Sequence, residues 1–393
     1  MLQSADNRMR TLTRREMIAF ALLSAPTLCR GSQATRTVWI GSCKPGDNAN
    51  GIYKATFDTE NGTLSQPELA AKMPRPSFFT TMRSRSGDDV LYAVNELSEG
   101  NGAVSALRFT RNGLQLLNRV SSRSDGPCFI VGRSATKTLY TANYHGETVS
   151  VFAVENDGSI KPPMQVLDFN SSPLFGSAGP DARQVKPHPH SILFSRNGRF
   201  AIVNDLGNDS LDVFTTDATG RLSTIPHQRV STPPASGPRH LVFHPHKPLL
   251  YVLCELDSSL RSFAWYEATG KLTPTGMSLS SISPQSRIKH AVNAAAEIAL
   301  SPDARFLYAS NRGDDSISVF KLDRQGQPGF LQSVHSGGKT PRHFVIDPSG
   351  RWILCSNGGS DCMTTFRRSA TTGLLEGPIH RLAITCPMYA LFR

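Results

Sequence analysis

The chain has 393 residues, 39% of them apolar and 19% charged, and this balance excludes an intrinsically disordered protein. Its formal net charge is +11, but no run of lysine or arginine is longer than a pair, so the sequence does not predict nucleic-acid binding. No CxxC pair or Cys/His ligand spacing occurs, which argues against a structural zinc site.

Residues 1–34 have the pattern of a twin-arginine export signal. Arg14 and Arg15 are followed by an apolar run up to Leu28, and then by small residues that indicate cleavage after Ala34. The apolar run is too short to span a bilayer. We therefore predict a protein exported by the twin-arginine route, periplasmic or secreted, with no membrane contact once the signal is removed. The alternative is a basic leader on a cytoplasmic protein.

From residue 35 onward the chain repeats a short extended run that opens with proline, or once with alanine. Successive openings are 51, 62, 49, 57, 46 and 46 residues apart. Each repeat holds several short β-patterned runs between turn residues, and residues 238–276 contain four of them. The openings are Pro76, Pro127, Pro189, Pro238, Ala295, Pro341 and Pro387. Because four-stranded units of this size are typical of propeller blades, residues 35–393 are predicted to form one all-β domain, a seven-bladed β-propeller with four-stranded antiparallel blades.

The two ends of the repeat array complement each other. Residues 387–392 form a first strand with nothing after it, whereas residues 37–41 and 51–57 begin with second-strand material. We therefore expect the C-terminal strand to pair with the N-terminal strands and complete the seventh blade. Such pairing removes two free sheet edges.

The seven cysteines become six if Cys29 leaves with the leader. An even count in an exported protein is compatible with disulfides, but twin-arginine substrates usually fold before export, in a reducing compartment. Cys128 lies at a repeat opening, Cys386 immediately precedes another opening, and Cys254 and Cys355 occupy corresponding strands. We interpret these four as buried small apolar residues.

One rim of the predicted propeller collects charged residues. The start of the first strand and the end of the second strand of each blade lie on this rim, because the second strand returns antiparallel after a tight turn. Turn and core positions agree between repeats, but these rim positions vary. Their charged and imidazole residues are Glu96, His190, Asp205, Arg239, His240, Glu255, Glu297, Arg312, Arg342 and His343, with His188 close by in sequence. A mouth lined by such groups predicts binding and acid–base chemistry.

Some of these residues have structural alternatives. Arg239 and Arg342 share a Pro-Arg-His triplet, so either could tie neighbouring blades together. His190 follows a Gly/Pro/Ser-rich insertion at residues 170–183, which makes this repeat the widest. His188 could exchange roles with His190, and either imidazole could be a satisfied structural group.

Burial is expected to distinguish functional from solvated groups. Glu255 follows apolar residues, so we expect burial to raise the pKa of its carboxyl toward catalytic use. His244 and His246 lie in the turn at the opposite rim, where we expect both to be exposed to solvent.

Several segments closely resemble the seven-bladed-propeller lactonase family, which includes bacterial 6-phosphogluconolactonases and the fungal carboxy-cis,cis-muconate cyclase. The matching segments are residues 188–191, 237–245, 254–259, 295–298 and 310–317. The resemblance implies a cofactor-independent enzyme that acts on lactones. We assign no metal ion, because a calcium site, as in other lactonase propellers, would need converging carboxylates and carbonyls that the sequence does not indicate. In the cyclase branch the active-site groups are a histidine, two arginines and a glutamate, and they correspond here to His190, Arg239, Arg312 and Glu255. A phosphorylated sugar lactone would be an unusual substrate outside the cytoplasm.

These observations support the hypothesis of a 6-phosphogluconolactonase-like hydrolase that opens a sugar-type lactone. Arg239 and Arg312 would hold the anionic group and the developing oxyanion, and Glu255 or His190 would activate water and protonate the leaving hydroxyl. No G-x-S-x-G elbow occurs, so a covalent serine mechanism is not favoured. Further substrate-binding candidates are His188, Arg342, Glu297, Glu96, His240 and His343.

Two other functions fit the same sequence. One is lactone formation by a muconate cycloisomerase-type enzyme, in which a substrate carboxylate adds to its own double bond. The other is a propeller that only binds a partner, since a fold alone does not fix function. For the enzyme we expect a monomer whose only partner is an anionic small-molecule lactone or carboxylate.

Overall fold

Seven four-stranded antiparallel sheets make up the part of the chain that the computed structural model describes, residues 34–44, 50–111, 113–171, 181–289 and 292–393. The predicted export signal lies outside these residues, apart from Ala34, and stays a prediction. The prediction of an all-β, seven-bladed propeller is confirmed. Among the described residues, no helix has the length and apolar character needed to cross a membrane.

Each sheet is one blade, and blades two to seven are built from consecutive strands. Blade two contains β4 (Phe79–Arg83), β5 (Asp89–Asn95), β6 (Ala103–Thr110) and β7 (Gly113–Ser121). Blade three contains β8 (Pro127–Arg133), β9 (Thr138–Asn143), β10 (Thr148–Val154) and β11 (Ile160–Asp168). Blade four contains β12 (Pro189–Phe194), β13 (Phe200–Asp205), β14 (Ser210–Thr215) and β15 (Gln228–Ser231).

The remaining consecutive blades follow the same order. Blade five contains β16 (Pro238–Phe243), β17 (Leu249–Cys254), β18 (Ser259–Tyr266) and β19 (Lys271–Ser280). Blade six contains β20 (Ala294–Leu300), β21 (Phe306–Arg312), β22 (Ser316–Leu322) and β23 (Pro328–His335). Blade seven contains β24 (Pro341–Ile346), β25 (Trp352–Asn357), β26 (Cys362–Arg368) and β27 (Leu375–Ala383). Short helical segments connect some of them: α1 (Pro284–Lys289) and the 3₁₀ turns Ala182–Gln184 and Gly358–Ser360.

Blade one is assembled from both ends of the chain. It contains β1 (Thr35–Ser42), β2 (Gly51–Asp58) and β3 (Glu68–Lys72), and β28 (Pro387–Phe392) pairs antiparallel with β1 as its inner strand. The predicted closure is therefore confirmed. One predicted opening begins later than expected, since the inner strand of blade two starts at Phe79 rather than at Pro76.

The core lies between the blades. All six residues of β17 are buried: Leu250 and Val252 pack against blade four, whereas Tyr251 and Leu253 pack against blade six. Because the second strand of a blade is covered on both faces, its sequence is continuously apolar rather than alternating. This explains the apolar runs that recur in the sequence.

A repeated tyrosine joins each of four blades to the next. The tyrosine belongs to the second strand of its blade. Its hydroxyl donates to the carbonyl of a glycine in the hairpin between the third and fourth strands of the following blade, at 2.6–2.9 Å. The pairs are Tyr92 with Gly158, Tyr140 with Gly220, Tyr251 with Gly326, and Tyr308 with Gly373. These four glycines have φ of +76° to +92°, a conformation that other residues adopt only with strain.

The interpretation of the cysteines as buried is confirmed for three of the four. Cys128, Cys254 and Cys355 are buried free thiols, and so are Cys43 and Cys362. Cys386 is a free thiol that is only half-buried, so its predicted burial is wrong.

Removal of residues 385–393 is expected to abolish the folded state, because it deletes the inner strand of blade one and exposes the apolar side chains of β1. Circular dichroism melting of the full chain and of the truncated chain would measure this. Deletion of Arg393 alone is the matched control and should leave a cooperative transition. A truncated chain that melts like the full chain would contradict ring closure.

Candidate active site

Extra residues at the start of the inner strands position the candidate site. In five inner strands one residue near the rim has no partner on the second strand, which is a β-bulge that redirects a side chain. In β20, Ala296 and Glu297 together lie opposite Ser310. The five bulged residues are Cys128, His190, Arg239, Arg342 and Met388. Three of the predicted site residues thus owe their orientation to the same local irregularity.

Three arginines converge on the carboxylate of Glu255, which follows β17 and is 6% exposed. Its Oε2 lies 2.7 Å from Nη2 of Arg312 and 3.0 Å from Nε of Arg239, and its Oε1 lies 2.9 Å from Nη1 of Arg183. Burial tends to raise the pKa of Glu255, but the charges of Arg312, Arg239 and Arg183 outweigh it and the pKa is lowered. The expectation of a raised pKa is therefore wrong, and Glu255 is an ionised counter-ion.

Arg239 occupies the centre of this cluster and is 2% exposed. Burial lowers the pKa of its guanidinium to about 9, so the group stays charged at neutral pH. Its Nη1 donates to the carbonyl of Ala296 and lies 3.3 Å from Nε2 of His240. Arg239 therefore ties blade five to blade six, as the structural alternative predicts, and also faces Glu255.

A second set of polar groups lies beneath this cluster, one residue further along the inner strands. Nδ1 of His240 lies 3.1 Å from Glu297, and Nε2 of His343 lies 3.6 Å from the same carboxylate. Burial favours a raised pKa for Glu297, but His240 and His343 lower it to about 2, whereas burial lowers the pKa of His343 to about 4. These three predicted binding residues form a buried support for Arg239.

Aromatic rings from several blades meet on the propeller axis. The Phe78 ring lies 4.5 Å from Phe129 and 4.1 Å from Tyr389, and 6.1 Å and 6.2 Å from the rings of His240 and His343. These contacts join rings from five of the seven blades, and the aromatic cluster thus lies beside the imidazoles that support the arginine cluster.

The structure separates the two neighbouring histidines. Nδ1 of His188 donates to the carbonyl of Tyr144 at 2.6 Å, and its ring stacks on Tyr144 at 4.2 Å. His190 is buried, its Nδ1 has no hydrogen-bond partner among the described residues, and its ring lies 5.2 Å from His240. Burial, with the nearby charge of Arg239, holds the pKa of His190 well below its ordinary value. His190 is thus a neutral imidazole beside the arginine cluster, whereas His188 packs on the wall.

A second ion pair lies on another side of the mouth. Nη2 of Arg342 is 3.3 Å from Oε2 of Glu96, and both side chains are largely buried. Burial tends to lower the pKa of Arg342, but Glu96 outweighs it and the pKa is raised. Both predicted binding residues are therefore present at the mouth as a charged pair.

Arg183 is the site residue that the sequence analysis missed. It ends the insertion at residues 170–183, and Asp181 holds its Nε at 3.0 Å while Nη1 reaches Glu255. The unusual length of that repeat, 62 residues, indicated a functional insertion. Spacing alone could not indicate which side chain of the insertion reaches Glu255. The side chain of Arg183 is 41% exposed, so it forms the outer edge of the arginine cluster.

Two other expectations are wrong. The first concerns Asp205. Pro189 pairs with Asp205, so Leu206, not Asp205, occupies the rim position equivalent to Glu255. Asp205 is buried, its carboxylate accepts a hydrogen bond from the backbone N–H of His188 at 2.7 Å, and burial raises its pKa to about 7.

The second concerns His244 at the opposite rim. His244 is buried rather than exposed, because its Nδ1 accepts hydrogen bonds from the backbone N–H groups of the turn that follows it. His246 is exposed as expected.

Arginine, glutamate and histidine side chains from different blades thus meet at one rim of the propeller. Comparison with known proteins defines the family: the model described as "Lactonase, 7-bladed beta-propeller" matches residues 37–392, and the chain belongs to this family.

Individual relatives extend over nearly the same length. The 6-phosphogluconolactonase of Bacillus subtilis is 31% identical over 340 residues, 86% of this chain and 92% of the relative. A 6-phosphogluconolactonase of Formosa agariphila is 29% identical over 347 residues, 86% of this chain and 94% of the relative. The solved structure of the periplasmic gluconolactonase of Pseudomonas aeruginosa is similar with a TM-score of 0.81 and 28% identity, covering 91% of this chain and 99% of that one.

Proposed function

We propose that the protein is a lactone hydrolase, a carboxylic ester hydrolase that opens a sugar-type lactone by attack of water. The observation that carries the proposal is a neutral, buried imidazole, His190, beside a cluster of guanidinium groups at the mouth of a lactonase-family propeller. Neutral imidazole can accept a proton, and guanidinium groups stabilise negative charge that develops on a carbonyl oxygen.

In the proposed reaction, His190 takes a proton from a water molecule whose oxygen attacks the lactone carbonyl. Arg239 and Arg312 stabilise the oxyanion of the tetrahedral intermediate. The bond between the former carbonyl carbon and the ring oxygen then breaks, and protonated His190 returns its proton to that oxygen. The products are one carboxyl group and one hydroxyl group, so the imidazole ends unchanged.

Glu255 has a different role in this proposal from a general base. Its carboxylate is held by three guanidinium groups and its pKa is lowered, so it is poorly suited to take a proton from water. We assign it the task of holding Arg239 and Arg312 side by side against their mutual repulsion. The second pair, Arg342 with Glu96, would bind the anionic part of the substrate from the other side.

The predicted leader and the relative named as periplasmic together support export of this enzyme to the periplasm. The chain is similar both to a relative named 6-phosphogluconolactonase and to one named gluconolactonase. We therefore propose an aldonolactone as the substrate, and an assay must decide whether it carries a phosphate group.

A substrate panel tests the proposal. Glucono-δ-lactone, its 6-phosphate and cis,cis-muconates would be incubated with the protein, with and without a chelator. A pH-stat would record proton release on lactone opening and proton uptake on muconate cyclisation. We expect at least one aldonolactone to open faster than its spontaneous hydrolysis, with no effect of the chelator. Turnover of muconate alone would instead support the lactone-forming enzyme, and no turnover at all would support a binding protein.

Arg183→Ala is expected to raise KM for an anionic lactone about fivefold and to change kcat much less, because Arg183 lies at the outer, partly exposed edge of the cluster. Steady-state kinetics measure both constants. Arg199→Ala is the control, since Arg199 lies at the opposite rim with its guanidinium over the Phe200 ring at 5.5 Å. Equal effects of the two substitutions would remove Arg183 from the substrate-binding set.

A further inference from the structure

A cavity of about 330 Å³, which we call the blade-five cavity, is lined by residues of blades four and five. It lies at the rim opposite the candidate active site, where the inner strands end. Its aromatic walls are Phe194 at the end of β12, Phe243 at the end of β16 and Trp265 in β18. The rings of Phe243 and Trp265 meet edge to face, with 5.7 Å between their centroids. A cavity of this size with aromatic walls and a few polar groups is typical of a small-molecule site.

His244, which lines this cavity, departs from the repeat. At the equivalent position of four other blades, a serine or aspartate side chain accepts a backbone N–H group at the end of the turn, at 2.7–3.1 Å. These residues are Ser84, Ser195, Ser301 and Asp347. In blade five, Nδ1 of His244 holds the turn instead, since it accepts the N–H groups of His246 and Lys247 at 3.1 and 3.0 Å. An imidazole in this position has a second nitrogen that the turn does not use.

The hydrogen bonds of His244 determine where its proton lies. Because Nδ1 accepts two N–H groups, the proton of the neutral ring is on Nε2, which is therefore a donor. Burial, together with the charge of Lys247, lowers the pKa of His244, so the ring is neutral at pH 7. His244 is 4% exposed, and its Nε2 has no hydrogen-bond partner among the described residues. One buried N–H group thus remains for a ligand in the cavity that the ring lines.

The charged groups around the cavity favour an anionic ligand. The exposed guanidinium of Arg196 donates to a backbone carbonyl and has no carboxylate partner among the described residues. The carboxylate of Glu267 is already engaged, because its Oε2 accepts from Nε1 of Trp265 at 2.6 Å and its Oε1 accepts from the backbone N–H of Asn197 at 2.7 Å. The acidic group is therefore satisfied by donors of the protein itself, whereas Arg196 and His244 can both donate to an anion.

We propose that the blade-five cavity is a second ligand site, which binds a small aromatic carboxylate. The ring of the ligand packs against Phe194, Phe243 and Trp265, and its carboxylate accepts hydrogen bonds from Nε2 of His244 and from Arg196. Hydrogen bonds to a charged acceptor are about twice as strong as those between neutral groups, so the carboxylate supplies the specificity. The site lies at the opposite rim from the proposed lactone-opening residues and shares none of them.

The test is a titration of the full chain with benzoate and with phenylacetate, measured by isothermal titration calorimetry. We expect a dissociation constant of about 0.1 mM, the order expected for ligands of this size. Benzamide has the same ring without the charge and should bind about tenfold more weakly or worse. Acetate has the charge without the ring and should also bind about tenfold more weakly or worse.

Substitutions locate the bound ligand. His244→Ser removes the N–H donor and should weaken benzoate binding about tenfold. Because serine holds the equivalent turn in blades four and six, this variant should fold, and a melting curve would verify it. Arg196→Ala should weaken binding about threefold. Arg199→Ala, which removes another exposed arginine of the same rim, is the matched control and should leave binding unchanged.

Three results would overturn the proposal. The first is the absence of benzoate binding. The second is benzamide binding as tight as that of benzoate, which would mean that the cavity does not recognise an anion. The third is benzoate binding that survives in His244→Ser but is lost in Arg183→Ala, because the ligand would then lie at the candidate active site. None of these measurements depends on lactone turnover, so the proposal stands or fails independently of the enzymatic function.

Discussion

Replacement of Glu255 by glutamine should reduce kcat/KM for lactone opening by about 10²-fold or more, which is the size of loss seen when a transition-state electrostatic group is disturbed. The amide has the shape of the carboxylate but no charge. Arg239, Arg312 and Arg183 would then face one another without their shared counter-ion. Their mutual repulsion, no longer offset by the carboxylate, would move Arg239 and Arg312 away from the positions that hold the oxyanion.

The comparison with a second buried ion pair separates catalysis from folding. Asp212 lies 2.6 Å from Arg229, is fully buried, and belongs to β14 of blade four, the third strand from the axis. Asp212→Asn should lower the melting temperature, as loss of a buried partner does, and leave kcat/KM of the folded protein within about twofold. Kinetics and melting curves of both variants would be measured together. If Glu255→Gln loses stability but keeps near-normal turnover on every lactone that the wild type opens, Glu255 is only structural.

The fold could be predicted from sequence because the repeat imposes the same physical requirements seven times. A second strand covered on both faces must be apolar along its whole length, as in β17, and each hairpin needs turn residues at a fixed place. The tyrosine-to-glycine links between blades add a further repeated signal, such as Tyr251 with Gly326. Closure by β28 followed from the same regularity, since an incomplete last repeat requires a partner.

The site was only partly predictable, because it depends on departures from the repeat. The rim positions of His190, Arg239 and Arg312 could be selected by counting from the openings. The count failed at Asp205, where the polar residue lies one position earlier than in other blades and turns into the core. The orientation of Arg183 could not be predicted, because its insertion has no counterpart in other repeats and therefore no repeated position to count from.

Electrostatic states could be predicted least of all. Burial of Glu255 was inferred correctly from its apolar neighbours, but the sign of its pKa shift depends on three guanidinium groups from three segments of the chain. Only the three-dimensional arrangement places these groups within 3.0 Å of one carboxylate. In the proposed reaction the same arrangement favours His190 over Glu255 as the general base, a choice that the sequence had left open.

His190→Gln is expected to lower kcat by about 10²–10⁴-fold, the contribution of a well-placed general base. The pH dependence provides a more specific test. Neutral imidazole is the active form, and burial and neighbouring positive charges hold the pKa of His190 well below 6.5. The wild-type kcat/KM should therefore be constant from neutral pH down to about pH 6.5 and should fall only as the pH drops through this lowered pKa.

Substitution of the neighbouring His188 shows which of the two histidines is the general base. His188→Gln removes the hydrogen bond to Tyr144 and should lower the melting temperature, but the acid limb of kcat/KM should keep its position. In His190→Gln the residual activity should lose that limb altogether, because the titrating group is gone. If instead the limb disappears in His188→Gln and persists in His190→Gln, the stacked imidazole is the base and the assignment of the two histidines must be reversed.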